Sequence, residues 1–405
     1  MSKFARRAFL KTMAAGITSM GMWAWAEDVK PLKIERIELF PVRYSTVMRF
    51  KFFEGPTSGA GRAAVLIKVT ADDGAVGWGE SVPVPRWSYE TLEGAMSTLD
   101  NYLIPVVTGM DVFDLHGIHD AMNKEIANSF STGAPITKAG LDMAIHDLMG
   151  HAAGRNIAEL WGRSLPDELV LSWTLNPKTL DEIEPLIEKG KERGFENFNV
   201  KVAPDPKFDL EMCRIVKRAA PDGFLWGDAN GGYDLAAALE VAPKLADAGM
   251  AVFEQPIPAN QLTGYQQLRQ QGALPIIMDE GVVSPSDLIE FMKLGCMDGV
   301  AMKPARCGGL VSSRQQIEIM ERAGLKFLGS GLTDPDVSLA ASLILYGAYG
   351  LKYPAALNGP QFLGESVITE PFVVNGGKVR IPKGAGLGIE VDEDKVHALV
   401  EASKT

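Results

Sequence analysis

The feature that most constrains this chain is a row of five charged residues that follow one another at nearly equal intervals. Neighbours in the row are 24 to 27 residues apart, which is about the length of one βα unit in a parallel barrel of roughly 250 residues. Each residue ends a short apolar run typical of a strand, and helical patterns separate the runs. The five are Lys201, Asp228, Glu254, Asp279 and Lys303. Strand ends at this spacing lie side by side on one rim of a barrel, so we expect three carboxylates in one ring with a lysine on either side.

The composition is that of an ordinary globular protein. The 405 residues are 46% hydrophobic and 22% charged, which is enough for one or two domains with a large core. A formal net charge of −11 without a basic stripe argues against a nucleic-acid partner. Three cysteines, Cys213, Cys296 and Cys307, are too few for a disulfide framework. No histidine lies near Cys307 in sequence, which disfavours a catalytic thiol.

Residues 1–26 are predicted to be an export signal. Arg6-Arg7, followed by Phe-Leu-Lys, resembles a twin-arginine motif. A weakly apolar run from Thr12 to Trp25 follows, too short to span a membrane, and it ends in the cleavage-like triplet Ala24-Trp25-Ala26. We therefore expect a periplasmic protein with no membrane partner after signal removal. The alternative is an amphipathic or frayed N-terminal tail.

Residues 32–160 are predicted to form an α+β domain. Three strand patterns open this region, and the last two form a hairpin; they are Leu32–Val42, Ala63–Thr70 and Ala75–Glu80. Helical periodicity follows, and it ends with Pro135–His151, whose apolar residues on one face indicate an amphipathic helix.

From Leu169 onward the pattern alternates strand and helix, which indicates an α/β fold with a parallel sheet. Eight strands with seven intervening helices predict a (β/α)7β modified TIM barrel over residues 165–359. The strands are expected to end near Leu175, Val202, Asp228, Glu254, Asp279, Lys303, Ser330 and Asn358. The tail, residues 360–403, contains a hairpin pattern at Asn375-Gly376-Gly377 and a last helix. It has no place in the barrel, so we expect it to return to the N-terminal domain and complete it.

The ring predicts a metal site. Three carboxylates without His or Cys are hard oxygen ligands, which suit one Mg²⁺ ion, or alternatively Mn²⁺, better than zinc. Such an ion would bind a substrate carboxylate and stabilise the enediolate formed when the α-proton leaves. Lys201 and Lys303, from the second and sixth strands, would lie across the barrel mouth as opposed acid and base. A single acid at a strand end is a helix N-cap or a solvated loop residue about as often as it is a functional residue, and a single lysine there is a surface residue more often than not. Only the five together indicate a site.

With these residues in place, residues 32–400 resemble the enolase superfamily, in the branch of the muconate lactonizing enzymes. The resemblance includes the hairpin Gly-Ala-Val-Gly-Trp-Gly-Glu-Ser, the helix with Ala-Gly-Leu-Asp-Met-Ala, and the tail. It implies that the N-terminal domain caps the barrel, with loops near residues 50–59 and 83–89 closing over the substrate; plain surface loops are the alternative. It also implies the following roles: Asp228, Glu254 and Asp279 as metal ligands, Lys201 as the second lysine of a Lys-x-Lys motif, and Lys303 as the sixth-strand lysine. The candidate substrate contacts are Asn199, Asn230, Glu280, Asn358, Phe53 and Trp87.

The chain departs from the family pattern at three places. Asn199 stands where the motif has its first lysine, and the loss of this charge is expected to raise the pKa of Lys201. At the eighth strand, Ala356-Leu357-Asn358 lacks the Asp-x-Asp of dipeptide epimerases, which disfavours a free-amine dipeptide. It also lacks the Glu that muconate-type enzymes carry at the place of Ala356, which argues against plain cycloisomerisation. The seventh strand ends in Gly329-Ser330-Gly331, so no histidine base is expected there.

These observations predict an exported, Mg²⁺-dependent isomerase that abstracts the proton α to the carboxylate of a small substrate, amino-acid-derived or similar. Racemisation or epimerisation is the expected outcome. Two alternatives share the first half of this mechanism, a muconate-type cycloisomerase and a dehydratase of the acid or hydroxyproline type. A non-enzymatic alternative is an exported carboxylate-binding protein on the same scaffold. The expected partner is a small carboxylate, and the resemblance implies a homo-oligomer.

Overall fold

The computed structural model describes residues 31–54 and 61–404, and its first layer is an antiparallel three-stranded sheet. The predicted export signal, residues 1–26, lies outside the described residues, as does part of the first cap loop. The strands β1 (Ile34–Tyr44), β2 (Arg62–Ala71) and β3 (Val76–Ser81) are neighbours in chain order. Gly79 in β3 allows a helix to lie directly against the sheet, because a side chain there would meet the carbonyl oxygen of Gly140 at 2.0 Å.

That helix is the centre of the N-terminal domain, and the prediction that it is amphipathic is wrong. It runs from Pro135 to Ala153, and every residue from Pro135 to Gly150 is buried. The cap sheet covers one side of it, and two barrel helices contact the other. The helices of this domain are α1 (Leu92–Thr98), α2 (Ile104–Val107), α3 (Leu115–Glu125), α4 (Pro135–Ala153) and α5 (Ile157–Leu160), with a π-helical turn at Leu99–Leu103 between α1 and α2.

A short strand, β4 (Glu168–Val170), leads into a curled parallel sheet of seven strands that follow one another in chain order. These are β5 (Trp173–Leu175), β6 (Phe198–Lys201), β7 (Leu225–Asp228), β8 (Val252–Glu254), β9 (Ile276–Met278), β10 (Gly299–Met302) and β11 (Lys326–Gly329). Each ends within one residue of its predicted end. The predicted eighth strand is reduced to two parallel bridges, from Ala355 to Leu171 and from Ala356 to Ser330, and these bridges close the barrel.

Seven helices surround the sheet, which confirms the (β/α)7β architecture. They are α6 (Ile183–Glu192), α7 (Pro206–Ala219), α8 (Leu235–Asp247), α9 (Leu262–Gln271), α10 (Pro285–Leu294), α11 (Leu310–Ala323) and α12 (Asp336–Ala348). The interior of the barrel is filled by apolar side chains from successive strands, as a TIM barrel requires. They form a separate buried cluster of Trp226, Val252, Ile277, Ala301, Leu328 and Ala356.

The tail divides between the two parts of the molecule. It comprises α13 (Gly359–Phe362), β12 (Val374–Asn375), β13 (Lys378–Arg380) and α14 (Glu393–Ala402). The last helix packs on β1, as expected. The hairpin does not join the N-terminal domain: β13 pairs with β4 at the entrance to the barrel, because the edge of β4 is open there. Over the described residues, no helix combines the length and the apolar character needed to cross a membrane.

Candidate active site

The carboxyl ends of β6 to β10 bring the five predicted residues together. Lys201, Asp228 and Glu254 end their strands, and in the sheet register Lys201 lies opposite Asp228 and Asp228 opposite Glu254. Asp279 and Lys303 directly follow β9 and β10. All three carboxylates are at most 1% exposed, and one oxygen of each lies within 4.8 Å of the others.

The three acids do not share the surrounding positive charge equally. Lys201 donates a hydrogen bond to Asp228. Lys303 donates one to Asp279 at 2.5 Å and lies 3.8 Å from Glu254. The Oε1 atom of Glu254 has no hydrogen-bond partner among the described residues. Burial, and then the charges of Asp228 and Asp279, raise the pKa of Glu254 well above its usual value.

This arrangement fits a divalent cation. A buried carboxylate oxygen without a partner, facing two further carboxylates, is expensive unless a cation neutralises it. Asp228, Glu254 and Asp279 offer hard oxygen ligands only, which match Mg²⁺ or Mn²⁺. The pKa of Lys201 also indicates an excess of negative charge in the ring. Burial lowers this pKa, but the charges of Asp228 and Glu254 raise it above the usual value. The acids of the ring cause this rise, and the contribution expected from Asn199 stays a prediction.

Two residues that the sequence analysis did not single out hold Asp279 in place. Arg306 is fully buried and donates to a carboxylate oxygen of Asp279 and, at 3.0 Å, to the carbonyl of Ala301. Gln255 accepts a hydrogen bond from the backbone N–H of Asp279 at 2.8 Å through its side-chain oxygen. Arg306 lies three residues after Lys303 and outside the regular spacing of the ring residues. Its partner Asp279 is 27 residues earlier in the chain, so the contact shows only in the folded structure.

The backbone turns sharply just after three of the ring residues. Ala203, Asn230 and Gln255 have φ values of 69°, 46° and 38°, in the left-handed region that non-glycine residues rarely adopt. Asn230 donates through its backbone N–H and its side-chain amide to the carboxylate of Asp228, at 2.9 and 3.1 Å. Strained residues of this kind cluster at functional sites, where the surrounding structure fixes them.

A pocket opens beside the ring, with about 420 Å³ of empty space that includes its solvent-open mouth. Five of the six candidate substrate contacts line it; they are Asn199, Asn230, Asn358, Phe53 and Trp87. The sixth, Glu280, is not in the lining, and burial together with the charge of Asp279 raises its pKa well above the usual value. The other lining residues are Phe50, Phe52, Val84, Lys201, Lys303, Ser330, Gly331, Leu332, Thr333 and Ala356.

The capping loops form one wall of this pocket. Phe50 and a 3-10 turn, Lys51–Phe53, come from the loop after β1, and the ring of Phe50 lies 5.9 Å from the Lys201 nitrogen. Trp87 comes from the second loop, and its ring lies 4.8 Å from the nitrogen of Lys303. Each lysine is therefore covered by an aromatic ring from the cap, which strengthens its electrostatic interactions by excluding water.

Three side-chain amides in the lining have free hydrogen-bonding atoms. The side-chain nitrogen of Asn199 and the side-chain oxygens of Asn230 and Asn358 are buried, and none has a partner in the described part of the chain. Buried polar atoms without partners are rare in folded proteins, so a bound molecule is expected to pair with them. Of the described residues in the lining, the two lysines are the ones with charged side chains.

The family comparisons agree with this geometry. The family "Mandelate racemase / muconate lactonizing enzyme, N-terminal domain" matches residues 55–162, and "Enolase C-terminal domain-like" matches residues 182–395. A chloromuconate cycloisomerase from Cupriavidus necator is 32% identical over 345 residues, which is 84% of this chain and 92% of the relative. Muconate cycloisomerase 1 from Rhodococcus opacus is 30% identical over 346 residues, covering 84% and 91%.

Solved structures extend the likeness to the whole fold. A muconate lactonizing enzyme from Pseudomonas fluorescens, complexed with muconolactone, has a TM-score of 0.84 at 25% identity, over 91% of this chain and 100% of that one. A 2-chloromuconate cycloisomerase from Rhodococcus opacus gives 0.81 at 27% identity, over 91% and 99%. The chain is accordingly a metal-dependent isomerase, and its cofactor is Mg²⁺ or Mn²⁺. It belongs to the enolase superfamily, in the muconate lactonizing enzyme subgroup.

Proposed function

We propose that the protein is a cycloisomerase of the muconate type, which closes an unsaturated dicarboxylate to its lactone. The observation that carries the proposal is a lysine ammonium that lines the pocket beside a three-carboxylate ring, a position that both Lys201 and Lys303 occupy. The likeness to cycloisomerases over most of the chain supports it. This reverses the order of the two outcomes expected from the sequence, where racemisation came first.

The reaction needs one substrate carboxylate held still and a proton delivered to the carbon beside it. A divalent ion held by Asp228, Glu254 and Asp279 would neutralise that carboxylate and withdraw electrons from the adjacent carbon. The ammonium of Lys201 or Lys303 gives the proton to this α-carbon, and in the reverse direction the amine takes it back. One oxygen of the second substrate carboxylate bonds to the neighbouring alkene carbon. The double bond is consumed and one proton is taken up.

The cap prepares the lysines for this step. Phe50 and Trp87 cover their ammonium groups, and the lysine side chains are only 11% and 5% exposed. Water is thereby kept from the proton that is to be transferred. The amides of Asn199, Asn230 and Asn358 supply hydrogen bonds that orient the substrate over the ring.

Racemisation or epimerisation at the α-carbon is a second candidate, and the pair of lysines favours it. Inversion of a stereocentre needs a base on one face and an acid on the other. Lys201 pairs with the first acid of the ring and Lys303 with the third, so the two approach from opposite ends. A cycloisomerase that protonates one carbon needs only one of them.

Proton NMR in D₂O with Mg²⁺ separates the two candidates. With muconate, we expect lactone signals to grow and one deuterium to appear on the α-carbon. A pool of N-substituted amino acids, proline derivatives and hydroxy acids tests the second candidate, for which an α-proton signal disappears while the substrate stays intact. If the Mg²⁺-loaded protein converts no muconate, the cycloisomerase proposal is wrong.

Single lysine variants then assign the proton transfer. For cycloisomerisation, we expect either Lys201→Ala or Lys303→Ala to lower lactone formation by about 10²- to 10⁴-fold, since one group delivers the proton. For racemisation, each variant should stop exchange from one enantiomer only. Lys326→Ala is the matched control, because this lysine begins β11 at the far end of the barrel and donates to Tyr353. Full activity in both site variants would exclude a role for the lysines.

A further inference from the structure

A buried acid outside the metal ring holds the backbone just after Lys201. Asp209 lies in the first turn of α7 and is 2% exposed. One of its carboxylate oxygens accepts a hydrogen bond from the backbone N–H of Ala203 at 2.8 Å. Ala203 comes two residues after Lys201, and its φ of 69° lies in the left-handed region, which an alanine keeps only where the surrounding structure fixes it. Asp209 therefore fixes the direction in which the chain leaves β6.

The same oxygen of Asp209 is shared with the loop that follows β7. The hydroxyl of Tyr233 donates to it, and the backbone N–H of Tyr233 donates to the carbonyl of Pro256, in the loop after β8, at 3.2 Å. The loops after β6 and β7 approach closely because Gly232 has no side chain: a Cβ there would meet the Cβ of Ala203 at 2.8 Å. A line of hydrogen bonds centred on Asp209 thus joins three neighbouring loops at the rim of the barrel.

Two of these loops begin at ring residues. Lys201 ends β6 and Asp228 ends β7; the two lie opposite each other in the sheet register, and the lysine donates to the aspartate. Between them, the backbone N–H of Val202 donates to the carbonyl of Asp228 at 2.9 Å. A lysine carries its ammonium on a flexible four-carbon chain, so the position of its backbone decides where the charge can lie. A shift of the turn at Ala203 would therefore move the Lys201 ammonium relative to the ring.

Asp209 is suited to fixing these loops rather than to filling the core. Burial raises its pKa from 3.8 to about 6, because its ionised form is disfavoured in the interior. Its two partners are neutral donors, a backbone N–H and a hydroxyl. An apolar side chain would avoid the cost of burying the acid, but it would leave Ala203 and Tyr233 without their acceptor.

We infer that Asp209 and Tyr233 are positioning residues for Lys201, which they hold in place for proton transfer by fixing the turn after β6 against the loop after β7. The inference rests on the proposed function in one respect, that Lys201 is the lysine that exchanges a proton with the substrate. Asp209 and Tyr233 are not among the described residues that line the pocket, so both act through the backbone. Their loss should affect the rate of the chemical step more than the binding of substrate.

Crystal structures and kinetics of three variants test the inference. In Mg²⁺-loaded Asp209→Ala, we expect the Lys201 ammonium to move by about 1 Å or more from its wild-type position, and kcat with muconate to fall about 10- to 100-fold. Asp209→Asn should keep the position and most of the rate, because one amide oxygen can accept both hydrogen bonds. KM should stay within about twofold of wild type in both. Tyr233→Phe should lower kcat about threefold or more, and adding it to Asp209→Ala should lower the rate little further, since the two residues share one network.

Asp336→Ala is the matched control, because this buried acid has the same kind of partners in the first turn of α12. One of its oxygens accepts from the hydroxyl of Ser366 at 2.7 Å and from the backbone N–H of Val367 at 2.8 Å. Thermal denaturation should show that Asp336→Ala and Asp209→Ala both melt below the wild type, whereas Asp336→Ala should keep its kcat. The comparison separates a loss of stability from a loss of positioning.

An unmoved Lys201 or an unchanged kcat in folded Asp209→Ala would overturn the inference, and so would an equal loss of rate in Asp336→Ala. If Asp209→Ala does not fold, Tyr233→Phe, which removes only a hydroxyl, takes its place in both measurements, and full kcat there would be the contrary result. A wild type that converts no muconate loses the proposed function, while the position of Lys201 in the variant crystals still decides the inference.

Discussion

At the scale of single residues, Arg306 holds one carboxylate of the ring, Asp279, in place. It is 1% exposed and donates to Asp279, whose pKa burial raises but Lys303 and Arg306 hold below the usual value. In Arg306→Leu we expect Mg²⁺ affinity to fall about 10- to 100-fold, as for other groups that orient a metal ligand. The free energy of unfolding should fall by about 3 kcal/mol, because a buried charge loses a partner.

Calorimetric titration with Mg²⁺ and urea denaturation measure these two effects in Arg306→Leu. Arg322→Leu, on an exposed position of α11, is the control and should change neither quantity by much. Unaltered Mg²⁺ affinity in Arg306→Leu would show that Lys303 alone is enough to orient Asp279.

The ring was predictable from the sequence, whereas its supports were not. Lys201, Asp228, Glu254, Asp279 and Lys303 each end their own βα unit, so a purely local period places them on one rim. The groups that hold or complement the ring come from turns and loops. Arg306 and Gln255 contact Asp279 only after the strands have assembled, and no regular spacing in the sequence marks them.

At the scale of elements, the interface between cap and barrel contains an acid that connects β3 to α12. Glu80 is fully buried; it accepts hydrogen bonds from the Tyr44 hydroxyl at 2.8 Å and from the backbone N–H of Ser338 at 3.1 Å. Burial raises its pKa from 4.5 to about 7. Between pH 4.5 and about 7, Glu80 holds a proton in the folded protein that it has lost in the unfolded chain. The free energy of unfolding therefore falls as the pH rises through this range, by up to about 3 kcal/mol.

Glu80→Gln should remove this pH dependence, because a glutamine keeps the geometry of the protonated acid. We expect the variant to be more stable than the wild type at pH 8 and no more stable at pH 5, as measured by urea denaturation at both values. Glu35→Gln, at an exposed position of β1, corrects for general effects of charge. An equal difference between Glu80→Gln and wild type at both pH values would mean that Glu80 is ionised throughout.

Strand ends were predicted to within one residue because short apolar runs bounded by turn residues are a local signal. The error at α4 has the opposite cause. Its polar residues were assigned to a solvent-facing side, but they are buried with partners that the local sequence does not show. Asp142 accepts from His119 at 2.7 Å and from the backbone of Leu310, the first residue of α11. Asp147 accepts from the backbone of Trp78 at 2.8 Å.

At the scale of the whole molecule, the three carboxylates that bind the metal ion destabilise the folded protein when the ion is absent. Without a cation, three buried carboxylates repel one another, and the cost is clearest at Glu254, whose Oε1 has no hydrogen-bond partner among the described residues and lies 3.8 Å from the Lys303 nitrogen. Metal bound only by the folded state stabilises it, by about 2.7 kcal/mol when the ion is at 100 times its dissociation constant. Mg²⁺ should therefore raise the melting temperature of protein previously stripped with EDTA.

Glu254→Gln should stabilise the metal-free protein, since it removes one of the repelling charges, and it should weaken the stabilisation by Mg²⁺. Thermal denaturation with EDTA and with Mg²⁺ is expected to show a metal-free variant that melts above the metal-free wild type but gains little from the ion. Asp147→Asn is the comparison: it loses charge-assisted hydrogen bonds to β3 and to the tail, so it should melt lower in both conditions and keep the full Mg²⁺ increment. A Glu254→Gln protein that melts below the wild type in EDTA would mean that Glu254 is not under strain in the empty ring. A full Mg²⁺ increment in that variant would mean that two aspartates suffice to bind the ion.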